Sequence, residues 1–302
     1  MDSRSETEVM VEGRTLRLSN LDKALYPNGF TKAGVIDYYH RVAPAILTHL
    51  RGRPLTLKRY PNGTAAPFFF EKNCPGHRPP WVRTVDVPSS RTSDKVISYC
   101  LADDVPTLVW LANLAAIELH PLLATSDDVG SPTVMVFDLD PGPPAGLREC
   151  VQVACWVRDL LAEEGLACWP KTSGSKGLQL YVPLNTPHSY EQTKPFAHRV
   201  AHRLTAEHPE LVVEKMDKSL RGGKVLIDWS QNHPTKTTVA VYSLRAMPTP
   251  TVSTPVTWDE VDRAQRTGDA SALGFDAAAV IARLERQGDL FAEVASVQQR
   301  LP

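Results

Sequence analysis

The run Thr133–Asp140 is the part of the chain that most restricts its fold. Apart from its two aspartates, the run is apolar after its first residue, and Pro141 and Gly142 follow it at once. An apolar run of this length that ends at turn residues predicts a strand buried in a sheet. Because side chains alternate along a strand, Asp138 and Asp140 would point to one face while their apolar neighbours pack on the other. The sequence therefore predicts a sheet with two carboxylates at one edge.

Patterns on either side of this strand predict a mixed α+β protein. A capping pattern predicts a short helix near residues 19–23, and apolar residues at helical spacing predict helices near 32–50, 105–119, 147–164, 189–207, 258–266 and 276–294. Short apolar runs between turn residues predict strands near 54–60, 67–72, 82–87, 95–101, 133–140, 167–172, 178–183, 211–215, 224–229 and 237–242. We expect one domain over residues 14–295, made of a basic lobe (14–130), a catalytic sheet (131–250) and C-terminal helices (251–295). Residues 1–13 are predicted to be loosely ordered.

Charge is distributed unevenly along a chain whose formal net charge is only -1. Between Arg14 and Arg83 there are twelve Lys and Arg residues and three Asp and Glu residues. This excess indicates either a local site for phosphates or a solvated surface.

The five cysteines show no Cys-x-x-Cys spacing, and Cys150 and Cys155 lie in an apolar helical pattern typical of buried thiols. The first residues do not resemble a leader, and no apolar run has membrane-spanning length. These features predict a reduced, cytoplasmic protein that does not contact a membrane.

Asp228 adds a third carboxylate, at the end of a second apolar run, Val225–Asp228. If the two strands are neighbours, three carboxylates meet, and they must then be protonated or bind cations. Two Mg²⁺ or Mn²⁺ ions would relieve the repulsion, activate an attacking hydroxyl and stabilise a leaving pyrophosphate. Asp-x-Asp also fits an aspartyl phosphotransferase of the haloacid dehalogenase type, with Asp138 as nucleophile, or carboxylates that cap a turn.

Ser173–Gly177 joins two predicted strands and has the composition of a phosphate site. Glycines allow backbone N–H groups to approach an anion, while Ser173 supplies a hydroxyl and Lys176 a charge. The spacing is not that of a P-loop, and a plain hairpin turn is the alternative. Further cations that suit a triphosphate or a polynucleotide backbone follow at Lys218, Arg221, Lys224 and Arg245.

Ordered motifs over about residues 14–290 resemble the polymerase domain of bacterial DNA ligase D, in the archaeo-eukaryotic primase superfamily. The C-terminal motifs are Phe137–Gly142, Thr172–Leu178, Lys218–Arg221, Gly223–Val225, Asp228–Asn232 and Tyr242–Arg245. The N-terminal motifs are Asn20–Pro27, Thr31-Lys32, Lys58-Arg59, Pro61–Gly63, Phe69–Lys72 and Glu118–His120. The resemblance implies a primase-polymerase fold, with a central, mostly antiparallel catalytic sheet flanked by helices.

The resemblance also implies a role for each matching residue. Catalysis and metal binding would fall to Asp138, Asp140 and Asp228, with His120 in the same pocket. The incoming nucleotide would contact Lys58, Ser173, Lys176, Gly177, Gln179 and Arg245. DNA would contact Asn20, Lys23 and Lys32 through a 5′-phosphate, Phe69 or Phe70 through a template base, and Lys218 and Arg221 near the templating pair. We expect at least one of Phe68–Phe70 to belong to the core instead, because neighbouring strand residues face opposite sides.

Gln179 departs from the family, which usually carries His at this position. Its amide can donate a hydrogen bond to a phosphate oxygen but cannot carry a charge or act as an acid. Loss of a charge-assisted bond would weaken nucleotide or transition-state binding by about 1–3 kcal/mol. The substitution therefore predicts weaker activity or an altered choice of nucleotide.

The implied function is template-dependent nucleotidyl transfer to a 3′-end at a DNA gap or break, with a preference for ribonucleotides and Mn²⁺. Expected partners are gapped or broken duplex DNA with a 5′-phosphate, an NTP or dNTP, an end-binding protein and a separate ligase, at the nucleoid. No Lys-x-Asp-Gly ligase motif occurs, so we expect a free-standing paralogue or an excised domain. A non-catalytic DNA-end-binding module and an aspartyl phosphotransferase are the alternative functions.

Overall fold

The computed structural model describes residues 6–89 and 96–302, which form two five-stranded sheets, two hairpins and six α-helices. The strands are β1 (Glu6–Val11), β2 (Arg14–Ser19), β3 (Leu55–Arg59), β4 (Phe69–Glu71), β5 (Thr84–Pro88), β6 (Val96–Cys100), β7 (Ala116–Pro121), β8 (Ala124–Thr125), β9 (Asp128–Pro132), β10 (Val134–Pro141), β11 (Trp169–Thr172), β12 (Leu178–Pro183), β13 (Val212–Val213) and β14 (Val225–Asp228). The helices are α1 (Lys32–Leu50), α2 (Val105–Asn113), α3 (Leu147–Glu163), α4 (Tyr190–Glu207), α5 (Trp258–Thr267) and α6 (Ala277–Gln287).

The central sheet has the strand order β11-β12-β10-β14-β13, and its middle strand β10 corresponds to the predicted buried strand Thr133–Asp140. Its pairings are antiparallel except for β13 with β14. Phe137 and Leu139 of β10 are fully buried in a core shared with Val151 and Ala154 of α3. This confirms the predicted mostly antiparallel sheet flanked by helices, and it leaves the opposite face of β10 to Asp138 and Asp140.

In the N-terminal sheet, β3 pairs along its length with β7, and its opposite edge pairs with β4 and, at Leu55, with β6. Strand β5 pairs with β6, and the sheet packs on α1. Helix α1 begins after Thr31, whose hydroxyl accepts a hydrogen bond from the backbone N–H of Gly34 at 3.2 Å. Its residues Val35, Val42 and Ile46 are completely buried, which stabilises the fold by about 1.5–3 kcal/mol for each side chain. The helix thereby fixes Lys32, its first residue, next to the end of β2.

Three local predictions are wrong because backbone turns override the apolar pattern. The helix predicted over residues 105–119 ends at Asn113, since Ala115 adopts a left-handed conformation (φ 56°) and the chain continues as β7. Residues 19–23 are not helical: Asn20 is also left-handed (φ 54°), and Ala24 forms a bridge with Thr31. Residues 237–242 make only an isolated bridge, between Thr237 and Leu122.

The N-terminus also differs from the prediction of a loosely ordered segment over residues 1–13. Glu6–Val11 form β1, which pairs along its whole length with β2; the preceding five residues lie outside the described part of the chain. The predicted strand 95–101 corresponds to β6, with Lys95 outside the described residues. The hairpin β8–β9 was not predicted.

The expectation of reduced cysteines is wrong for one pair. Cys74 and Cys100 form a disulfide with their Cα atoms 4.9 Å apart. Cys150 and Cys155 are buried free thiols, as predicted, and so is Cys168. No helix in residues 6–89 and 96–302 is both long and apolar enough to cross a membrane.

Candidate active site

The main cleft, with a volume of about 510 Å³, lies between the central sheet and the N-terminal sheet. It brings together ten of the residues predicted from the sequence: Phe70, His120, Asp138, Asp140, Ser173, Lys176, Gly177, Gln179, Arg221 and Arg245. It is also lined by Ser175, Gln231 and the segment 237–239, to which the sequence had assigned no individual role. A single cleft therefore holds carboxylates, a glycine-containing loop and several cations.

Strand pairing places the three aspartates on one face of the central sheet. Asp138 lies directly opposite Asp228 on β14, and Asp140 follows two residues later on β10. Burial first, and then the charge of Asp140, raises the pKa of Asp138 to about 7. Burial and the charge of Asp228 also raise the pKa of Asp140. The predicted neighbouring strands are therefore present, and the carboxylates repel one another as expected.

Asp228 is buried and already hydrogen-bonded. Its Oδ1 accepts from the Ser230 backbone N–H at 3.0 Å and from the Ser230 hydroxyl at 2.5 Å, while Oδ2 accepts from the Gln231 amide at 2.9 Å. No three His, Cys, Asp or Glu side chains in the described part of the chain are arranged as ligands of one ion. The donors nevertheless fit Mg²⁺ or Mn²⁺, because all are carboxylate oxygens whose repulsion a divalent ion would relieve.

The loop Ser173–Gly177 is a tight turn beside these carboxylates. The Ser173 hydroxyl accepts hydrogen bonds from the backbone N–H groups of Ser175 at 3.2 Å and Gly177 at 3.1 Å. A Cβ atom at position 177 would lie 2.1 Å from the Leu139 carbonyl oxygen, so only glycine allows this approach to β10. The turn leaves the Lys176 side chain exposed at the cleft.

Glu118 was not assigned a role from the sequence, yet it contacts three predicted site residues. The side chain is 2% exposed. Its oxygens lie 2.9 Å from His120 Nε2, 3.3 Å from Lys58 Nζ and 3.5 Å from Arg245 Nε, and Oε1 also accepts from the backbone N–H of Ala246 at 3.1 Å. Burial raises the pKa of Glu118, but the His120 hydrogen bond and the two cations outweigh it and hold the pKa well below its usual range.

This contact set links the N-terminal sheet to the loop Ser173–Gly177. Arg245 donates to the Ser173 carbonyl oxygen at 2.5 Å while its other edge faces Glu118. Burial lowers the pKa of His120. The alternation Glu118-Leu119-His120 was a usable signal, since both polar side chains share one face of a strand. The signal was hidden because this segment was predicted to be helical.

A second cleft, the N-terminal cleft, measures about 320 Å³ and is lined by Asn20, Lys23 and Lys32, with Arg59 beside them. Lys32 is 6% exposed, and its ammonium donates to the Ser19 carbonyl oxygen at 2.6 Å. Burial, then the charges of Lys23 and Arg59, lowers the pKa of Lys32 to about 8. Concentrated positive charge of this kind is suited to a phosphate. Arg59 was not predicted as part of this group.

The remaining predicted residues lie on exposed segments. Phe68, Phe69 and Phe70 are 48%, 44% and 56% exposed, so the expectation that one of them belongs to the core is wrong. Lys58 lies 4.3 Å from the centre of the Phe68 ring and 5.8 Å from that of Phe70. Lys218 is exposed on a short 3-10 helix (Lys218–Leu220) before β14 and does not line the main cleft, whereas Arg221 does.

Comparison with known proteins places this geometry in one family. The model of the LigD primase-polymerase domain matches residues 31–291. The chain is 44% identical over 282 residues to the multifunctional non-homologous end joining DNA repair protein LigD of Mycobacterium tuberculosis strain H37Rv, covering 90% of this chain and 36% of that protein. It is 34% identical over 276 residues to the bifunctional non-homologous end joining protein LigD of Bacillus subtilis, covering 90% of this chain and 43% of that protein. The chain thus spans less than half the length of these relatives.

The fold agrees with this result. The solved polymerase domain of Mycobacterium tuberculosis ligase D in complex with DNA superposes with a TM-score of 0.86 and 41% identity, over 94% of this chain and 99% of that one. A haloacid-dehalogenase-type protein is not among these matches, and each of them is a LigD protein or its polymerase domain. The chain belongs to the family of LigD primase-polymerase domains.

Proposed function

We propose that this chain transfers nucleotides to the 3′-end of a DNA strand at a gap or break, copying a template, in non-homologous end joining. The observation that carries the proposal is the main cleft. There Asp138 lies opposite Asp228 on the paired strands β10 and β14, and the loop Ser173–Gly177 and Arg245 lie at the same cleft. Carboxylates that repel one another beside a phosphate-binding loop are the arrangement that nucleotidyl transfer needs. The names of the relatives, which describe end joining, supply the cellular setting.

The three carboxylates would hold two divalent ions, Mn²⁺ or Mg²⁺. When bound, these ions would activate the 3′-hydroxyl and stabilise the leaving pyrophosphate. The residues of the chain contribute negative charge at fixed positions, because Asp138 and Asp140 share one rigid strand of the central sheet. Catalysis would therefore depend on the spacing that β10 and β14 impose.

The incoming NTP or dNTP would place its phosphates against the loop Ser173–Gly177. Lys176 supplies an exposed positive charge there, and Arg245 contacts the loop by donating a hydrogen bond to the Ser173 carbonyl oxygen. His120 lines the main cleft from the N-terminal sheet, whereas Lys58 of the same sheet shares the partner Glu118 but does not line the cleft. Lys176 and Arg245 at the cleft, together with Lys58, would balance the triphosphate charge.

The DNA end would lie across both clefts. A 5′-phosphate on the downstream strand fits the N-terminal cleft, where Lys23 and Lys32 concentrate positive charge. Exposed Phe69 and Phe70 offer flat apolar surfaces on which template bases can stack. Lys218 and Arg221 would contact the strand near the templating pair. We further propose preference for ribonucleotides and cooperation at the nucleoid with an end-binding protein and a separate ligase.

The test is incorporation on a defined substrate. A labelled primer on a template with a short gap and a 5′-phosphorylated downstream strand should be extended by one or more template-directed nucleotides with Mn²⁺ or Mg²⁺. Parallel reactions with each NTP and dNTP measure the sugar preference. Absence of extension with either ion, together with retained binding to gapped DNA, would instead establish a non-catalytic end-binding module. Release of phosphate from a small monoester would establish a phosphotransferase.

Substitution of Lys32 by alanine should remove the preference for a 5′-phosphate. Wild-type affinity for gapped DNA should fall about tenfold or more when that phosphate is removed, because charge-assisted hydrogen bonds are lost. Lys32→Ala should be nearly indifferent to the phosphate, and so should Lys23→Ala. Because the pKa of Lys32 is lowered to about 8, the wild-type preference should also decline as the pH rises above 8 and the ammonium loses its proton.

Fluorescence anisotropy with paired phosphorylated and unphosphorylated substrates measures these affinities. Arg286→Ala, which removes an exposed charge from α6, is the control and should keep the wild-type preference. Equal phosphate dependence in wild type, Lys23→Ala and Lys32→Ala would rule out the N-terminal cleft as the phosphate site.

A further inference from the structure

Four side chains form a row across the central sheet. Strand register places Lys171 of β11 opposite Gln179 of β12, Gln179 opposite Asp138 of β10, and Asp138 opposite Asp228 of β14. Directly opposed residues of antiparallel strands project from the same face and contact each other. This cross-strand row therefore begins with a lysine, continues through an amide and ends with two carboxylates.

Lys171 is the buried end of the row, with no exposed surface. Its ammonium donates to Gln179 Oε1 at 2.5 Å, to the Ser253 hydroxyl oxygen at 2.6 Å and to the Val239 carbonyl oxygen at 3.1 Å. A carbonyl oxygen can only accept, and the Ser253 hydroxyl donates its own hydrogen to the Thr172 carbonyl oxygen at 2.9 Å. The three ammonium hydrogens thus match three acceptors, one of which is the Gln179 oxygen.

The NH₂ group of Gln179 needs an acceptor, just as its oxygen needs a donor. Gln179 Nε2 donates to Asp138 Oδ1 at 3.0 Å, and an ionised carboxylate can only accept. Burial lowers the pKa of Lys171 well below its usual range, and the charge of Asp138 offsets only part of this shift. The support for the ammonium is geometric, since Nζ is surrounded by three acceptors. The lysine and the aspartate therefore select the same orientation of the amide, with the oxygen towards Lys171 and the NH₂ group towards Asp138.

This orientation determines what Gln179 presents to the main cleft. The NH₂ group has two hydrogens, and the bond to Asp138 uses one of them. Because Gln179 lines the cleft, a phosphate oxygen held there can accept the other. An amide turned the opposite way would present its oxygen to Asp138 and to the phosphate, and both contacts would be repulsive.

We propose that Lys171 is a positioning residue for Gln179 in nucleotidyl transfer. By donating to Oε1, it holds the Gln179 amide in the one orientation that serves both Asp138 and a nucleotide phosphate. The proposal rests on the proposed function and adds to it a residue that does not touch the substrate. It also explains how an uncharged glutamine at this position acts as an oriented donor, since Lys171 fixes the amide from the neighbouring position of the row.

The experiment is a double-mutant cycle at positions 171 and 179. Lys171→Met should lower kcat/KM for the nucleotide by about 10- to 100-fold, the effect of losing an oriented donor to a charged group, and leave the affinity for gapped DNA within about twofold. Gln179→Leu should cause a similar loss. In the Gln179→Leu background, Lys171→Met should lower kcat/KM by less than about twofold further, because the group through which Lys171 acts is already absent.

Two controls separate positioning from a structural role. Ser253→Ala removes a different partner of Lys171 and should leave nucleotide kcat/KM within about threefold of wild type. Selective ¹⁵N labelling of glutamine assigns the Gln179 side-chain NH₂ resonances, which disappear in Gln179→Leu. In wild type these hydrogens should exchange slowly with water, and in Lys171→Met their exchange should accelerate at least about tenfold. If Lys171→Met does not fold, Lys171→Gln, which keeps a polar group in the buried site, replaces it with the same expectations.

The outcomes separate this proposal from the function on which it rests. Equal losses from the lysine substitution in both backgrounds, or unchanged exchange of the Gln179 amide, would overturn the positioning role even if the wild-type protein extends primers. Conversely, a wild-type protein that extends no primer overturns the proposed function, while the exchange measurement still decides whether Lys171 orients Gln179.

Discussion

Replacement of both Asp138 and Asp140 by asparagine should abolish nucleotide incorporation and at the same time stabilise the metal-free protein. Asparagine keeps the size of each side chain but removes the charge that would hold divalent ions. Loss of that charge should lower single-turnover incorporation by at least about a thousandfold. Mn²⁺ binding, measured from the loss of the free-ion signal in electron paramagnetic resonance, should disappear in the same variant.

The stability change follows from the sign of the pKa shifts. The pKa of Asp138 is raised to about 7 by burial and by Asp140, so the ionised carboxylate is less favourable in the folded chain than in the unfolded chain. This penalty is absent below the unfolded pKa of about 4 and grows as the pH rises towards 7. The variant should therefore gain about 1–3 kcal/mol over metal-free wild type near pH 8 and little at pH 4. Urea unfolding in the presence of a chelator measures both values.

Asp86→Asn is the matched control, since it changes an exposed aspartate of β5 that lies outside both clefts. It should leave incorporation, Mn²⁺ binding and the pH dependence of stability unchanged. A double variant that is destabilised near pH 8, or that still incorporates nucleotides at more than a tenth of the wild-type rate, would contradict the assignment of these carboxylates as metal ligands.

The position of these carboxylates could be predicted from the sequence because the information is local. Alternation along Thr133–Asp140 specifies which face Asp138 shares with Asp140, and Val225–Asp228 is apolar up to its last residue. Only the adjacency of β10 and β14 had to be assumed, and the register with Asp138 opposite Asp228 agrees with that assumption. Because the apolar residues of this strand must face the core, its two aspartates can point only to the opposite face of the sheet.

The contacts made by Glu118 and Lys171 were not predicted, for a physical reason. Both depend on backbone geometry that a single sequence pattern does not encode. The apolar run after Val105 has helical spacing, and the left-handed conformation of Ala115 that ends α2 is set by tertiary packing. Lys171 is one lysine among many in sequence, and its burial follows from pairing with β12 and from the segment around Ser253. Tertiary contacts therefore decide which polar residues of a strand become part of the site.

Glu118→Ala should cause the second large effect, a simultaneous loss of stability and of nucleotide binding. Removing one partner of a buried ion pair leaves the other charges uncompensated, at a cost of about 3–5 kcal/mol. Here the partners are Lys58, His120 and Arg245, and all three would lose their common acceptor. Because Arg245 also holds the Ser173 carbonyl oxygen, the loop Ser173–Gly177 should become less ordered. We expect KM for the nucleotide to rise and kcat/KM to fall about a hundredfold or more.

The pH dependence identifies Glu118 as the source of the effect. Its pKa lies below the usual range in the folded chain, so its ionised form contributes stability above the unfolded pKa of about 4.3 and loses it as the pH falls. Glu118→Gln, which keeps the shape of the side chain, should therefore be less stable than wild type at pH 7, and the difference should begin to shrink only below about pH 4.3, as the pH falls towards the folded-state pKa. Urea unfolding across this range, with single-turnover incorporation at pH 7, measures both quantities.

Glu260→Gln provides the matched control, because it weakens a second ion pair in which the cation is buried but which lies outside both clefts. Glu260 accepts from Arg283 at 2.5 and 2.7 Å, and Arg283 is 7% exposed. This variant should lose stability but keep nucleotide KM and kcat close to wild-type values. If Glu118→Gln behaved in the same way, with reduced stability and unchanged nucleotide kinetics, Glu118 would be a purely structural residue. A rise in nucleotide KM confined to Glu118→Gln would instead tie Lys58, His120 and Arg245 to the substrate through their shared carboxylate.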